Sequence, residues 1–211
     1  MLAKGEWLLE AGGEFSRGDG HSIGNVGQAL LRRGFQGFEV RLHLNSLVLG
    51  HRSADPGLQD AGVSVKATVA RREDGRQTLA LLAGTSVPTG AAHLTADRLV
   101  PSATLLYDVS LGGLWSLSLN GGYALGPGPV DEVGSVIVTP AVAIPGTRWS
   151  GYLAYAGFFS ATDRHYLESG LAVASSPDLQ LDLNGGVELE SGAYFLGAGL
   201  AVRWRHRAKT R

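Results

Sequence analysis

The last part of the chain contains two segments in which apolar and polar residues alternate. In segment 179–190 leucine and valine occupy every second position except 185, and most residues between them are polar or charged. In segment 194–204 apolar residues alternate with Gly197, Gly199 and Arg203. Because successive side chains of a strand point to opposite faces, each segment predicts a β-strand with one apolar face and one polar face. The two strands would form a hairpin in a sheet whose faces meet different environments.

The same alternation recurs along the whole chain. In segment 38–44, for example, Val40 and Leu42 lie on one face, whereas Glu39 and Arg41 lie on the other. Glycine, proline, aspartate and serine separate these runs, as turns require. The sequence therefore predicts about twelve strands, an even number as bacterial single-chain barrels have. The predicted strands are 7–16, 26–35, 38–48, 59–71, 77–87, 100–111, 115–125, 135–144, 150–160, 166–175, 179–190 and 194–204.

The composition of the polar faces indicates which side meets water. The water-facing side of a soluble barrel is typically rich in lysine and glutamate. Here the polar faces carry mostly serine, threonine, asparagine and glycine, and only 18% of all residues are charged. Aromatic residues lie near strand ends, as membrane interfaces favour: Trp7, Trp115, Tyr123, Tyr155, Tyr194 and Trp204. The prediction is an all-β protein, a single antiparallel up-and-down transmembrane β-barrel. A soluble ligand-binding barrel is the alternative.

Composition excludes several other classes. The chain has no cysteine, which excludes a disulfide framework, and its net charge of −1 gives no electrostatic case for a nucleic-acid partner. No apolar stretch approaches the length of a spanning helix. We expect one domain over residues 1–211, with a basic tail at 203–211, in the bacterial outer membrane. We expect no signal peptide within the sequence given, because no basic segment, apolar segment and cleavage site follow Met1.

Connection lengths predict the orientation. The long connections are 17–25, 51–58, 89–99 and 126–134, and the short ones are 36–37, 73–76, 112–113 and 177–178. Membrane barrels have long extracellular loops and short periplasmic turns, so both termini are predicted to lie on the periplasmic side. The short connection 191–192 departs from this rule.

Charged residues on the polar faces are the candidate lumen and solute-pathway residues. Both signs occur, so we expect some of them to pair across the lumen, either as a structural plug or as a selectivity ring. By strand parity they are Glu10, Glu14, Arg32, Glu39, Arg41, His43, Asp60, Lys66, Asp108, Asp182, Glu188, Glu190 and Arg203.

No catalytic, metal-binding or cofactor-binding residue is predicted. His43 is a mid-strand histidine among polar neighbours, and no second ligand stands at a recognised metal-site spacing. A hydrolase at the lipid face would need its nucleophile and base on the apolar side, but parity points His43 to the polar side. The hydrolase remains an alternative because such groups meet only in the fold.

Several segments resemble the family of outer-membrane proteins known as the putative MetA pathway of phenol degradation. The resemblance rests on WLLEAGGEF, LLRRGFQGFEVRLHL, LQDAGVSVKATV, LALLAGTSVPTG, LNGGY, GLAVASSPDLQLDLNGGVEL and GAGLAVRW, which cover most of the chain. It implies a transporter-like outer-membrane barrel that moves hydrophobic or aromatic compounds. The chain departs from outer-membrane proteins in general by continuing past Trp204 with a basic tail, whereas such proteins usually finish on an aromatic residue that the assembly machinery reads.

These observations predict a non-enzymatic channel for passive uptake of small hydrophobic or aromatic compounds. Its expected partners are the lipid bilayer, the solute and the outer-membrane assembly machinery, with no nucleic acid and no cofactor. A closed structural barrel with a salt-bridged plug and, behind it, a lipid-face hydrolase are the alternatives.

Overall fold

A computed structural model of the protein describes residues 1–18, 20–50, 55–126 and 133–205. None of these residues lies in a helix long and apolar enough to cross a membrane. The strands are β1 (Trp7–Gly18), β2 (His21–Gly34), β3 (Phe38–Leu44), β4 (Leu47–Leu49), β5 (Gly57–Leu58), β6 (Ala61–Arg71), β7 (Gln77–Val87), β8 (Val100–Gly112), β9 (Trp115–Ala124), β10 (Val133–Ala143), β11 (Trp149–Phe159), β12 (Arg164–Ser176), β13 (Leu179–Glu188) and β14 (Tyr194–Trp204).

The sheet closes on itself between its first and last strands. β1 pairs with β14 over its length, from Trp7 opposite Trp204 to Arg17 opposite Tyr194. All other neighbours pair antiparallel in a single continuous sheet. β3 and β4 both pair with β2 and act as one barrel strand interrupted at 45–46, and β5 and β6 act as another interrupted at 59–60. The result is the predicted closed, up-and-down barrel of twelve strands.

The predicted strand bounds agree closely with the observed ones at β7 and β14. The predicted long connection 17–25 is wrong, because β1 continues to Gly18 and β2 begins at His21. Gly20 has a φ of 76°, which lets the chain reverse tightly there. The strand predicted to end at Glu190 ends at Glu188, and Glu190 lies in the following turn. Within the predicted connections and tail, residues 19, 51–54, 127–132 and 206–211 lie outside the described residues.

The apolar side chains of alternate positions form the outer surface of the barrel. Leu183 and Leu196 remain 65% and 60% exposed, as expected for residues that face lipid rather than a core. The two ends of the barrel differ. We call the end of the barrel where β1 begins and β14 ends the terminal end. All four tryptophans lie there: Trp7, Trp115, Trp149 and Trp204. The opposite end, called here the loop end, carries tyrosine and phenylalanine on its outer surface and the longest described connection, 88–99.

A charge on the outer surface should destabilise the barrel much more than the same charge inside it. Leu183→Arg places a guanidinium in the middle of the lipid-facing side of β13, and we expect a loss of roughly 2–4 kcal/mol in the free energy of unfolding. Asn120→Arg, on the inner face of β9, is the matched control. Urea titration of both variants in lipid vesicles measures the difference, and an equal loss in the two variants would contradict the assignment of the faces.

Candidate functional site

Strand register places most of the predicted pathway residues on the inner face. Residues that pair directly across neighbouring strands share a face. Glu10 pairs with Ala201, which in turn pairs with Gln180, so these three share a face. Leu8 pairs with both Arg32 and Arg203 and therefore shares a face with them. The inner face holds Glu10, Glu14, Arg32, Glu39, Arg41, His43, Lys66, Asp108, Asp182, Glu188 and Arg203. Asp60 and Glu190 lie outside the strands, near the loop end.

Four of these residues form an ion-pair network on the inner face of β1, β2 and β3. Glu39 has no solvent exposure, and its Oε1 accepts hydrogen bonds from Arg32 Nη2 at 2.9 Å and Arg41 Nε at 2.7 Å. Arg32 Nη1 also donates to Glu10 Oε1 at 2.9 Å. Buried carboxylates are stable only when charge and hydrogen bonds compensate them, and here two guanidiniums balance two carboxylates. We call these four residues the arginine–glutamate network.

The network also holds the chain that precedes β1. The second oxygen of Glu39, Oε2, accepts a hydrogen bond from the Leu2 amide at 3.0 Å, and Leu2 is only 6% exposed. Lys66 lies directly opposite Glu39 on β6, which adds a third cation beside the network. One side of the lumen, along β1, β2, β3 and β6, is therefore filled near the terminal end.

Next to this filled side, β1, β14 and β13 form a wall of the lumen that carries several glycines. Gly12, Gly197 and Gly199 lie side by side on its inner face, and we call them the glycine wall. A Cβ added at Gly199 would lie 2.7 Å from Asp182 Oδ2, and one at Gly197 would collide with Asn184 Oδ1. The side chains of Asp182 and Asn184 thus lie across glycines, close to the backbone.

Three cavities run along this wall from one end of the barrel to the other. A terminal-end cavity of about 410 Å³ is lined by Glu10 and Arg203, and a middle cavity of about 540 Å³ includes the glycine wall. A chamber of about 860 Å³ follows at the loop end. Glu10 lines both the first and the second cavity, and Glu14 lines both the second and the third. The cavities therefore adjoin one another along the barrel axis.

Aromatic residues line the loop-end chamber, and they were not among the predicted pathway residues. The Tyr166 ring lies edge-on to both Phe158 and Phe195, with centroid distances of 6.0 and 6.4 Å. Glu168 follows Tyr166 at the next inner position of β12. Parity could have found these residues, because Phe195 has the same parity as Gly197 and Gly199 in β14. An aromatic residue near a strand end is as easily read as part of the lipid-facing belt.

The remaining charged residues make local contacts. Asp108 accepts a hydrogen bond from Ser118 Oγ at 2.6 Å, and Glu188 lies 4.0 Å from Arg164 and accepts from Ser191 Oγ. Glu190 lines the loop-end chamber. The predicted pathway residues are thus divided among the network, the cavities and the loop end, instead of meeting in one ring.

His43 contacts Ser64 on the inner face, with 3.1 Å between His43 Nε2 and Ser64 Oγ. Ser64 is only 7% exposed, and no carboxylate hydrogen-bonds the His43 ring in the described part of the chain. The pair faces the lumen, whereas a lipid-face hydrolase needs its groups on the outer surface. The described part of the chain also contains no group of three or more histidine, cysteine, aspartate or glutamate residues that could hold a metal ion.

Asp60 anchors the connection 88–99 at the loop end. Its Oδ1 accepts hydrogen bonds from the amides of Thr89 and Gly90 at 3.0 and 2.9 Å, and its Oδ2 accepts one from the Ala96 amide at 3.0 Å. Desolvation acts to raise the pKa of Asp60, but these amide hydrogen bonds outweigh it and lower the pKa below its usual value. Asp60, predicted from the sequence as a lumen residue, also lines the middle cavity, so it combines this anchoring position with a place beside the lumen.

The closed barrel with an apolar outer surface and a cavity-lined interior defines an outer-membrane protein with the fold of porins and channels. Residues 9–204 match the family described as "Putative MetA-pathway of phenol degradation", and the chain belongs to this family. The resemblance seen in the sequence is confirmed, and so is the bacterial outer membrane as its location. Among curated proteins nothing matches the chain.

Solved structures of channels share the fold. The COG4313 outer membrane channel from Pseudomonas putida F1 is 14% identical with a TM-score of 0.74, and the similarity covers 97% of each chain. The KdgM porin is 8% identical with a TM-score of 0.69, covering 94% of this chain and 99% of that one. The NanC porin is also 8% identical with a TM-score of 0.69, covering 92% and 98%. These proteins are porins and channels rather than enzymes.

Removing the charge of Glu39 should destabilise the barrel. Glu39→Gln leaves Arg32 and Arg41 beside each other without their shared carboxylate, and we expect a loss of about 3 kcal/mol in the free energy of unfolding. Glu73→Gln, in the exposed turn between β6 and β7, removes an equal charge and is the control. The measurement is urea titration in detergent, and a loss no larger than that of the control would show that the network adds no stability.

Acid should release the connection 88–99 only at unusually low pH. Because the folded-state pKa of Asp60 lies below its unfolded value, its stabilising contribution is present above that unfolded value and is lost as pH falls through the folded pKa. Hydrogen exchange of the Thr89, Gly90 and Ala96 amides, followed by mass spectrometry, should therefore stay slow down to the usual aspartate range. Asp60→Asn should speed this exchange at neutral pH, and unchanged exchange in that variant would contradict the anchoring role.

Proposed function

We propose that the protein is a non-enzymatic channel through which small hydrophobic or aromatic solutes cross the outer membrane passively. The observation that carries this proposal is the series of three adjoining cavities along the glycine wall. A narrow barrel usually fills its interior with side chains, so a wall of glycines, covered only by Asp182 and Asn184, leaves room for a solute. The predicted inner-face residues that border these cavities, and that would line the route, are Glu10, Glu14, Arg32, His43, Asp182, Glu188 and Arg203.

The lining of the route supports a mixed polar and aromatic character. Phe158, Tyr166 and Phe195 offer rings at the loop end, where a flat apolar solute would enter. Farther along, carboxylate and amide groups of Asp182 and Asn184 lie on the wall and offer hydrogen bonds. The description of the family to which the chain belongs names phenol degradation, and phenol is an aromatic compound, which supports an aromatic solute.

We propose that the terminal end faces the periplasm. The described connections at this end are short, whereas the longest one, 88–99, lies at the opposite end. Barrels of the outer membrane show this asymmetry, with long loops outside the cell. Trp204 at the end of β14 would then be the aromatic residue that the assembly machinery recognises.

A closed structural barrel is the second candidate function. The arginine–glutamate network and Leu2 fill one side of the lumen near the terminal end, which favours a plug. The two candidates differ in whether solutes pass. Single-channel recording and liposome swelling separate them, because the absence of both signals from a correctly folded protein would contradict the channel.

Narrowing the glycine wall should reduce solute flux. Gly199→Leu places a branched side chain in the middle cavity and pushes against the movable carboxylate of Asp182, so the fold should survive while swelling rates fall severalfold. Gly121→Leu is the control, because Gly121 lies on the outer face and nothing stands within 4 Å of a Cβ added there. Liposome swelling with small neutral solutes measures the flux, and equal rates in the two variants would place the route elsewhere.

A further inference from the structure

The loop-end chamber brings unpaired carboxylates and aromatic rings to the same place. Glu14 and Glu168 both line it, together with Phe158, Tyr166 and Phe195. Neither glutamate has a hydrogen bond or an ion-pair partner in the described ranges. This differs from the arginine–glutamate network, where every carboxylate has a guanidinium partner.

Glycine at position 186 lets one ring and one carboxylate share the wall. Gly186 pairs with Glu168 on one side and with Phe195 on the other. A Cβ added to Gly186 would lie 2.6 Å from Phe195 Cε1 and 3.0 Å from Glu168 Cγ. The Phe195 ring and the stem of Glu168 therefore both extend over this glycine and lie next to each other.

A carboxylate beside aromatic rings is chemically suited to a cation. The face of an aromatic ring attracts a positive charge, and it attracts organic ammonium groups strongly when they are partly desolvated. Two partly buried carboxylates without a counter-charge also gain from a ligand that supplies one. A neutral aromatic solute would use the rings but would leave both carboxylates uncompensated.

The cations already present near the chamber do not meet this need. The Nε atom of Arg164 lies 4.0 Å from Glu188 Oε1, and the Arg164 side chain is 59% exposed at the rim of the chamber. Glu190 and Asp163 add further carboxylates to the lining, so acidic groups outnumber the guanidiniums of Arg17 and Arg164. The chamber as a whole therefore favours positive charge.

We propose that the loop-end chamber is a binding site for an organic cation that carries an aromatic or alkyl group, such as an aromatic amine or a quaternary ammonium compound. Glu14 and Glu168 hold the positive charge, and Phe158, Tyr166 and Phe195 contact the apolar part. The proposal rests on the proposed channel in that the chamber is the outer part of the same route, and it makes the route selective for cations over anions.

Isothermal titration calorimetry of the folded barrel in detergent tests binding without requiring an open lumen. The probes are three benzyl compounds: benzyltrimethylammonium, benzyl alcohol and phenylacetate. We expect benzyltrimethylammonium to bind about tenfold or more tightly than benzyl alcohol, and phenylacetate to show no binding. Equal binding of the cation and the alcohol, or no binding of any probe, would overturn the proposal.

Variants identify the groups responsible. Glu168→Gln and Glu14→Gln should each weaken benzyltrimethylammonium binding by about tenfold and leave the weak binding of benzyl alcohol unchanged. Glu73→Gln, in an exposed turn at the terminal end, removes the same charge far from the chamber and should change neither. Phe195→Leu should weaken the binding of both benzyltrimethylammonium and benzyl alcohol. The three chamber variants lie on different strands, β12, β1 and β14, so if one variant fails to fold, the other two still test the proposal. Heat-modifiable migration in gels verifies the fold of each variant.

The outcome is separable from that of the channel proposal. A barrel that binds the cation but gives no swelling or conductance would be a closed receptor-like barrel, which retains the site and refutes the channel. A barrel that conducts neutral solutes but binds the alcohol as well as the cation refutes the cation site and retains the channel. Unchanged cation binding in both glutamate variants would likewise refute the assigned role of Glu14 and Glu168.

Discussion

The structure depends on the closure of the sheet between β1 and β14. Within a bilayer every backbone amide and carbonyl needs a partner in the protein, and a sheet can meet this need only if it has no edge. The pairing from Trp7–Trp204 to Arg17–Tyr194 removes the edge. Closure then gives alternate residues two different environments, lipid outside and the lumen inside. The apolar outer surface, the charged network and the cavities all follow from this division.

The sequence predicted the fold well because closure imposes a local pattern. A period of two residues can be read from neighbours alone, so strands such as β7 and β14 were found with their observed bounds. The prediction of a loop at 17–25 is wrong because most residues of this segment are polar or glycine, as in a loop. In the structure those residues extend β1 and β2 above the predicted ends, and backbone pairing with the neighbouring strand does not require apolar side chains.

The candidate site was predicted less completely, because parity gives a face but not a partner. It placed Glu39 and Arg32 on the inner face, yet their contact depends on strands β2 and β3 lying side by side in a particular register. Asp60 shows the same limit, since its three amide partners come from residues about 30 positions away. The rings of Tyr166 and Phe195 were overlooked because aromatic residues near strand ends also suit the membrane interface.

The glycine wall has a consequence for how such a barrel can change during evolution. Where Gly12, Gly197 and Gly199 line the lumen, these positions have no side chain left to shorten, and only Asp182 and Asn184 lie over them. Any substitution there adds atoms and makes the bore smaller. Moving the wall itself outward would require more strands or a different tilt, which point mutations do not supply. Adaptation to a new solute must therefore act through the side chains that face this wall, and the wall itself marks an upper limit on size.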